Sequence, residues 1–166
     1  MANADPRVRA EAVATAAKIA KDKATPYLVQ GMEDDNPTVR TRAASLAATC
    51  PTPRVLESLL HLLQPRFRKD EPEGVQLTAT LALGQFDEDA ARDTLLQILQ
   101  PRHFSPFGKK SDEVRAAAIT ALARFLDNTE VQEAIQQAFA DRGMTVRQTA
   151  QRIWAQYQAR NFQENG

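Results

Sequence analysis

Apolar and polar positions along the chain repeat one phrase five times. It runs "DPRVRAEAVATAAKIA" from Asp5, "NPTVRTRAASLAATC" from Asn36, "PEGVQLTATLALGQF" from Pro72, "SDEVRAAAITALARF" from Ser111 and "MTVRQTAQRIWAQY" from Met144. The aligned valines are Val8, Val39, Val75, Val114 and Val146, separated by 31, 36, 39 and 32 residues. Alanine follows each at plus four, as Ala12, Ala43, Ala79, Ala118 and Ala150. Thr15, Leu46, Ala82, Ala121 and Ile153 follow at plus seven. Steps of four and then three return to one side of an α-helix, so each phrase predicts a helix with a largely apolar stripe. Thr15 is the one polar member. Small residues on the stripe let helices approach closely, which a stack of copied units requires.

A second set of helices lies between these. Asp5-Pro6 and Asn36-Pro37 place a side-chain acceptor at the N-cap and proline at the first helical position, where a missing N–H costs nothing. The same logic predicts starts at Thr25-Pro26 and Thr52-Pro53, and Ser111 as the cap of the fourth phrase. Leu56, Leu59, Leu60 and Leu63 line one stripe of this second set; Leu95, Leu96 and Leu99 line another, and Val131, Ile135 and Phe139 a third. The near-copies "LLHLLQPRF" at Leu59 and "LLQILQPRH" at Leu95 stand 36 residues apart. No segment alternates as a strand does. The expectation is an all-α fold, a short α-solenoid of about four and a half helical hairpins, forming a single domain over residues 1–166.

The phrases "DPRVRAEAVATAA" and "SDEVRAAAITALARF" resemble HEAT-like repeats, in particular those of the phycobilisome (PBS) lyase family. Asp5, Pro6, Val8 and Arg9, then Val39 and Arg40, Val114 and Arg115, and Ala121 and Leu122 match that family's phrase, and Leu83-Gly84 supplies its ending. The third phrase departs from it, with Gln76 in place of arginine and an extra residue between Pro72 and Val75. The resemblance implies a stacked helical fold. It also implies relatives that act as chromophore lyases on an open-chain tetrapyrrole (bilin), serve phycobilisome turnover, or work as scaffolds.

Composition narrows the chemistry. The chain has 21 basic and 21 acidic residues and a formal net charge of zero, so no global field draws it to nucleic acid or an anionic membrane. One cysteine, Cys50, excludes an internal disulfide framework and suits a reducing cytoplasm. No signal peptide and no run long enough to span a bilayer is legible, which predicts a cytoplasmic protein without membrane insertion. His61, His103 and Cys50 form no metal-spacing motif, so no metal site is expected. His61 reads as a packed or interfacial histidine and Cys50 as a buried thiol. Asp87, Glu88 and Asp89 read as favourable charges at a helix start, and Gly84 as a helix C-cap. No nucleophile–base pair is visible, and no catalytic residue is assigned.

Two features remain. Arg9, Arg40, Arg115 and Arg147 recur at one place in the phrase, which suggests ion pairs or hydrogen bonds between adjacent units, reaching acidic residues near the preceding turn. The two longest connections, "QPRFRKDEPEG" and "QPRHFSPFGKKSDE", carry Arg66, Arg68 and Lys69 in one, and Arg102, His103, Phe104, Phe107, Lys109 and Lys110 in the other. Their phase puts them on one edge of the stack. Aromatic and basic groups together are typical anchors for protein recognition. These nine residues are therefore the candidate partner-binding set, and the leading reading is a non-catalytic interaction module holding a folded protein. The resemblance implies a phycobiliprotein as that partner, and a lyase-related subunit with a bilin cofactor as the alternative. A local basic patch binding nucleic acid is a further alternative, opposed by the neutral charge. Trp154 and Tyr157, if turned outward, would make the C-terminal helix a site of self-association.

Overall fold

The computed structural model describes residues 5–20, 23–64, 71–100 and 110–164. Among them lie nine α-helices in chain order: α1 (Pro6–Ala20), α2 (Thr25–Met32), α3 (Pro37–Ser45), α4 (Pro53–Leu63), α5 (Glu73–Leu83), α6 (Asp89–Leu99), α7 (Asp112–Leu122), α8 (Thr129–Gln137) and α9 (Met144–Glu164). Short 3-10 turns extend α3, α7 and α8. The described residues contain no strand. Odd-numbered helices form one row, the A row, in which α1 packs on α3, α3 on α5, α5 on α7 and α7 on α9. Even-numbered helices form a looser B row. The result is a file of stacked hairpins, a short α-solenoid of HEAT-like architecture.

The helix starts follow from local chemistry. Asp5, Asn36, Thr52, Ser111 and Asn128 each accept a backbone N–H of the first turn through the side chain. Each such cap contributes about 1 kcal/mol. Thr25 does not play this part. The helix already includes it, Ala24 occupies the cap position, and no side chain caps there. Its hydroxyl is used between units instead, lying 3.1 Å from the Thr52 hydroxyl and 3.2 Å from the Cys50 sulfur.

Burial follows the predicted stripe from the second unit onward. Val39, Ala43, Val75, Ala79, Val114, Ala118, Val146 and Ala150 are all buried. On the B row, Val55, Leu56, Leu59, Leu62 and Leu63 form the inner side of α4, and Leu95, Leu96 and Ile98 that of α6. Leu60 and Leu99 are only half-buried. The first unit departs: α1 buries Ala10, Val13, Ala14 and Ala17 and leaves Val8, Ala12 and Thr15 exposed. The stripe of each later unit rests on the unit before it, and α1 heads the file.

Glycine marks a tight approach between α5 and α7. A Cβ on Gly84 would stand 2.8 Å from both the Cα and the Cβ of Ala121 on α7. Gly84 does end α5, but with φ −64° and ψ −4°, a conformation open to any residue. Room for the neighbouring backbone, not a left-handed cap, is why glycine stands there.

Candidate interaction surface

The recurring arginines build a polar spine along the edge of the A row. Arg9 grips Asp34 with two bonds, Nε to Oδ2 and Nη2 to Oδ1, both 2.7 Å. Arg40 donates through Nε and Nη2 to Glu71 Oε2 at 2.9 and 2.6 Å. Its Nη1 serves the backbone carbonyls of Asp34 and Asp35 at 2.7 and 2.9 Å. Arg115 binds Asp141 and also Asp112. Arg147 donates to the Asp141 and Arg142 carbonyls at 2.6 and 3.0 Å. The arginines thus link adjacent units. The partners Asp34, Glu71 and Asp141 lie in the turn that follows each unit, Asp112 lies at the start of Arg115's own helix, and the preceding turn supplies main-chain acceptors to Arg40 and Arg147.

The third unit obeys the same plan with donor and acceptor exchanged. Gln76, in the arginine position, donates through Nε2 to the Glu71 carbonyl at 2.6 Å, as Arg40 and Arg147 do to their own turns. Its Oε1 accepts from Lys110 Nζ at 2.8 Å, where the other units have a carboxylate receiving an arginine. Lys110 also reaches the Leu63 carbonyl at 3.4 Å and is buried. Two departures that look independent in the sequence therefore compensate each other in space.

Electrostatics follow from these pairs. The hydrogen bonds from Arg9 hold the Asp34 carboxyl below its ordinary range against partial burial, helped by the Asn36 N–H. Burial pushes the Asp141 carboxyl up. The Arg115 guanidinium and the Gly143 N–H outweigh it, so the net shift is downward. Arg9 is raised first by its bond to Asp34. Burial opposes the charge on Arg115, yet its bonds to Asp141 and Asp112 raise it overall.

Of the nine candidate partner-binding residues, Arg66, Arg68, Lys69, Arg102, His103, Phe104, Phe107 and Lys109 lie outside the described residues. Lys110 is described and buried, with its ammonium bonded to Gln76 and to the Leu63 carbonyl. The other sequence candidates are placed. Cys50 is buried. His61, read as packed or interfacial, is exposed. Asp87 pairs with Arg124 at 2.5 Å, and Asp89 with Arg92 at 2.7 Å. Trp154 and Tyr157 turn back onto the stack: the Trp154 ring meets Phe139 edge-on at 6.4 Å and Tyr157 at 5.6 Å. The Gln132 side chain donates to the Tyr157 hydroxyl at 3.2 Å. The outward-facing aromatic surface that would have made this helix self-associate is therefore not formed by these two rings. No group of three or more potential metal ligands occurs among the described residues. No described helix is long and apolar enough to cross a membrane.

Two grooves that sequence reasoning did not find open on the B row. One, of about 620 Å³ between α2 and α4, has Val29, Met32 and Leu60 in its lining and Glu33, Arg54, Glu57 and His61 among its polar groups. The other, of about 490 Å³ between α6 and α8, combines Leu96 and Leu99 with Glu130, Glu133 and Asp141. The first reaches Gln64 and the second Gln100. These residues stand immediately before the two long basic connections. Periodicity marked the buried sides of these helices but not the width of the gap between neighbours, so no sequence signal pointed to the grooves.

Comparison with known proteins agrees with this architecture for the first part of the chain. No curated protein matches the sequence. Residues 1–66 match the family model for HEAT repeats, which identifies a HEAT-repeat-like helical region there.

Proposed function

We propose that the chain is a non-catalytic scaffold that holds a folded protein partner along its B-row grooves and the two long connections rooted beside them. The observation that carries this reading is the pairing of two open grooves, each with apolar lining and charged groups, with the starts of "QPRFRK" and "QPRHFSPFGKK". A partner of mixed charge suits the surface: the groove between α6 and α8 is acidic, while the connections are basic and carry Phe104 and Phe107. Buried aromatic and arginine anchors inside a polar rim are the usual source of binding energy at such surfaces.

The spine argues against a ligand-facing ladder of its arginines. Arg9, Arg40 and Arg115 are engaged by carboxylates, and Lys110 is buried against Gln76. Phosphates of a nucleic acid, or propionates of a bilin, would have to displace those partners to reach them. The resemblance to the phycobilisome lyase family supplies a phycobiliprotein as one candidate partner within the scaffold reading.

The test is affinity capture of the intact chain from its own host, comparing the native sequence with Phe104→Ala/Phe107→Ala and Glu130→Lys/Glu133→Lys. Recovery of one folded protein near equimolar ratio, lost in either variant at unchanged helicity, supports the reading. Retention in both variants rejects the surface. Co-purification of a visible-absorbing pigment or of nuclease-sensitive material would favour the lyase-related or nucleic-acid reading instead.

A further inference from the structure

The two ends of the A row differ in kind. At the far end, α9 turns Gln148, Gln151 and Arg152 outward at the middle of its free face, in the register that Ala10, Val13 and Ala14 occupy on α1, with Met144 and Phe162 exposed towards the ends of the helix. Polar groups at the middle of a terminal face oppose further stacking. At the near end the opposite holds. Val8 is 49% exposed and Ile19 79%, and with Ala12, Thr15, Ala16 and Tyr27 they line an open apolar hollow of about 620 Å³. The residues in register with Val8, Ala12 and Ile19 in the second and third units are Val39, Ala43 and Cys50, then Val75, Ala79 and Phe86, and all are buried. This face is therefore the continuation of the interface that joins every successive pair of A helices.

We propose that this face binds the same face of a second copy, so that two chains meet head to head about a two-fold axis. Three features of the face select this occupant. The far end of another copy is the poorer fit, because Gln148, Gln151 and Arg152 at the middle of its face would be pressed onto an apolar stripe without partners, at a desolvation cost. The stripe is also close to palindromic in size, with Val8 and Ile19 at its ends and Ala12, Thr15 and Ala16 between them. An antiparallel two-fold crossing near its midpoint sets Ile19 of each copy over Val8 of the other and lets the small centres touch. Charge follows the same symmetry. Glu11 and Lys18 are exposed on one edge of the stripe, two turns apart, and the crossing brings Glu11 of each copy beside Lys18 of its partner. An isologous contact of this kind closes at two chains and does not propagate into fibres.

This inference is independent of the proposed partner surface, which lies on the B row. Its test is sedimentation equilibrium of the 166-residue chain over a range reaching about 200 µM, near the weak end of specific association. The native chain is expected to sediment as a monomer–dimer equilibrium. Val8→Asp/Ile19→Asp is expected to be monomeric throughout. Both side chains are exposed in the single chain, so its circular dichroism and its melting at low concentration should be unchanged. Glu11→Lys should weaken the dimer about tenfold by bringing like charges together. Gln151→Glu/Arg152→Glu should leave it intact. A native chain that stays monomeric, a dimer that survives Val8→Asp/Ile19→Asp, or one that is lost in Gln151→Glu/Arg152→Glu would overturn the proposal.

Discussion

Thr80 shows how a single position can carry a cost the rest of the fold absorbs. Its side chain is completely buried on α5, and its hydroxyl has no hydrogen-bond partner among the described residues. A buried polar group without a partner loses its hydration and gains nothing in exchange. Thr80→Val keeps the β-branched shape and removes the hydroxyl. It should stabilise the chain by about 1 kcal/mol, seen as a higher urea midpoint at unchanged slope. A lower midpoint would mean that the hydroxyl finds a partner in solution. Thr78, two residues earlier, marks the contrast: its hydroxyl donates to the Gly74 carbonyl at 2.8 Å.

Between elements, the exchanged pair of Gln76 and Lys110 offers a sharper test. Gln76→Arg makes the third unit match the others in sequence but sets a guanidinium against the buried Lys110 ammonium. A like-charge contact away from water should cost about 3 kcal/mol, comparable to breaking a buried ion pair. Lys110→Glu alone strands a carboxylate opposite an amide oxygen and should cost a similar amount. The double variant restores the arrangement of Arg40 with Glu71 and should recover most of the loss. Urea unfolding of the four chains gives the coupling energy directly. Additive losses would show that Gln76 and Lys110 do not act as a pair. Lys110, two residues before α7, is thus fixed to the α5 unit.

Across the whole molecule, the spine makes stability depend on acid. Asp34 and Asp141 titrate below the ordinary carboxylate range when folded. Such groups contribute their stabilisation fully above the unfolded value of about 4 and lose it as the pH falls through the folded value. The urea midpoint should therefore hold steady down to about pH 5 and decline below about pH 4. Asp34→Asn/Asp141→Asn should begin lower and show a shallower acid limb. An acid limb equally steep in that variant would place the sensitivity elsewhere. Because successive hairpins touch mainly their neighbours, loss of the first pair should loosen the α1–α3 junction before the rest of the file.

Much of this architecture was written locally. The valine–alanine spacing, the proline starts with Asp5, Asn36 and Thr52, and the leucine stripe of α4 each depend on residues within a few turns, so one sequence sufficed to place helices and their buried sides. The recurrence of Arg9, Arg40 and Arg115 likewise announced a shared task. What needed the tertiary structure was everything set by distance between units. Only there does Lys110 turn inward to answer Gln76, Thr25 leave its cap for Thr52, and Gly84 make room for Ala121. The same stripe is core in α3 and open surface in α1, since burial of a repeat face depends on whether a neighbour stands before it. Periodicity specifies which side of a helix is apolar; stacking alone decides which of those sides is covered.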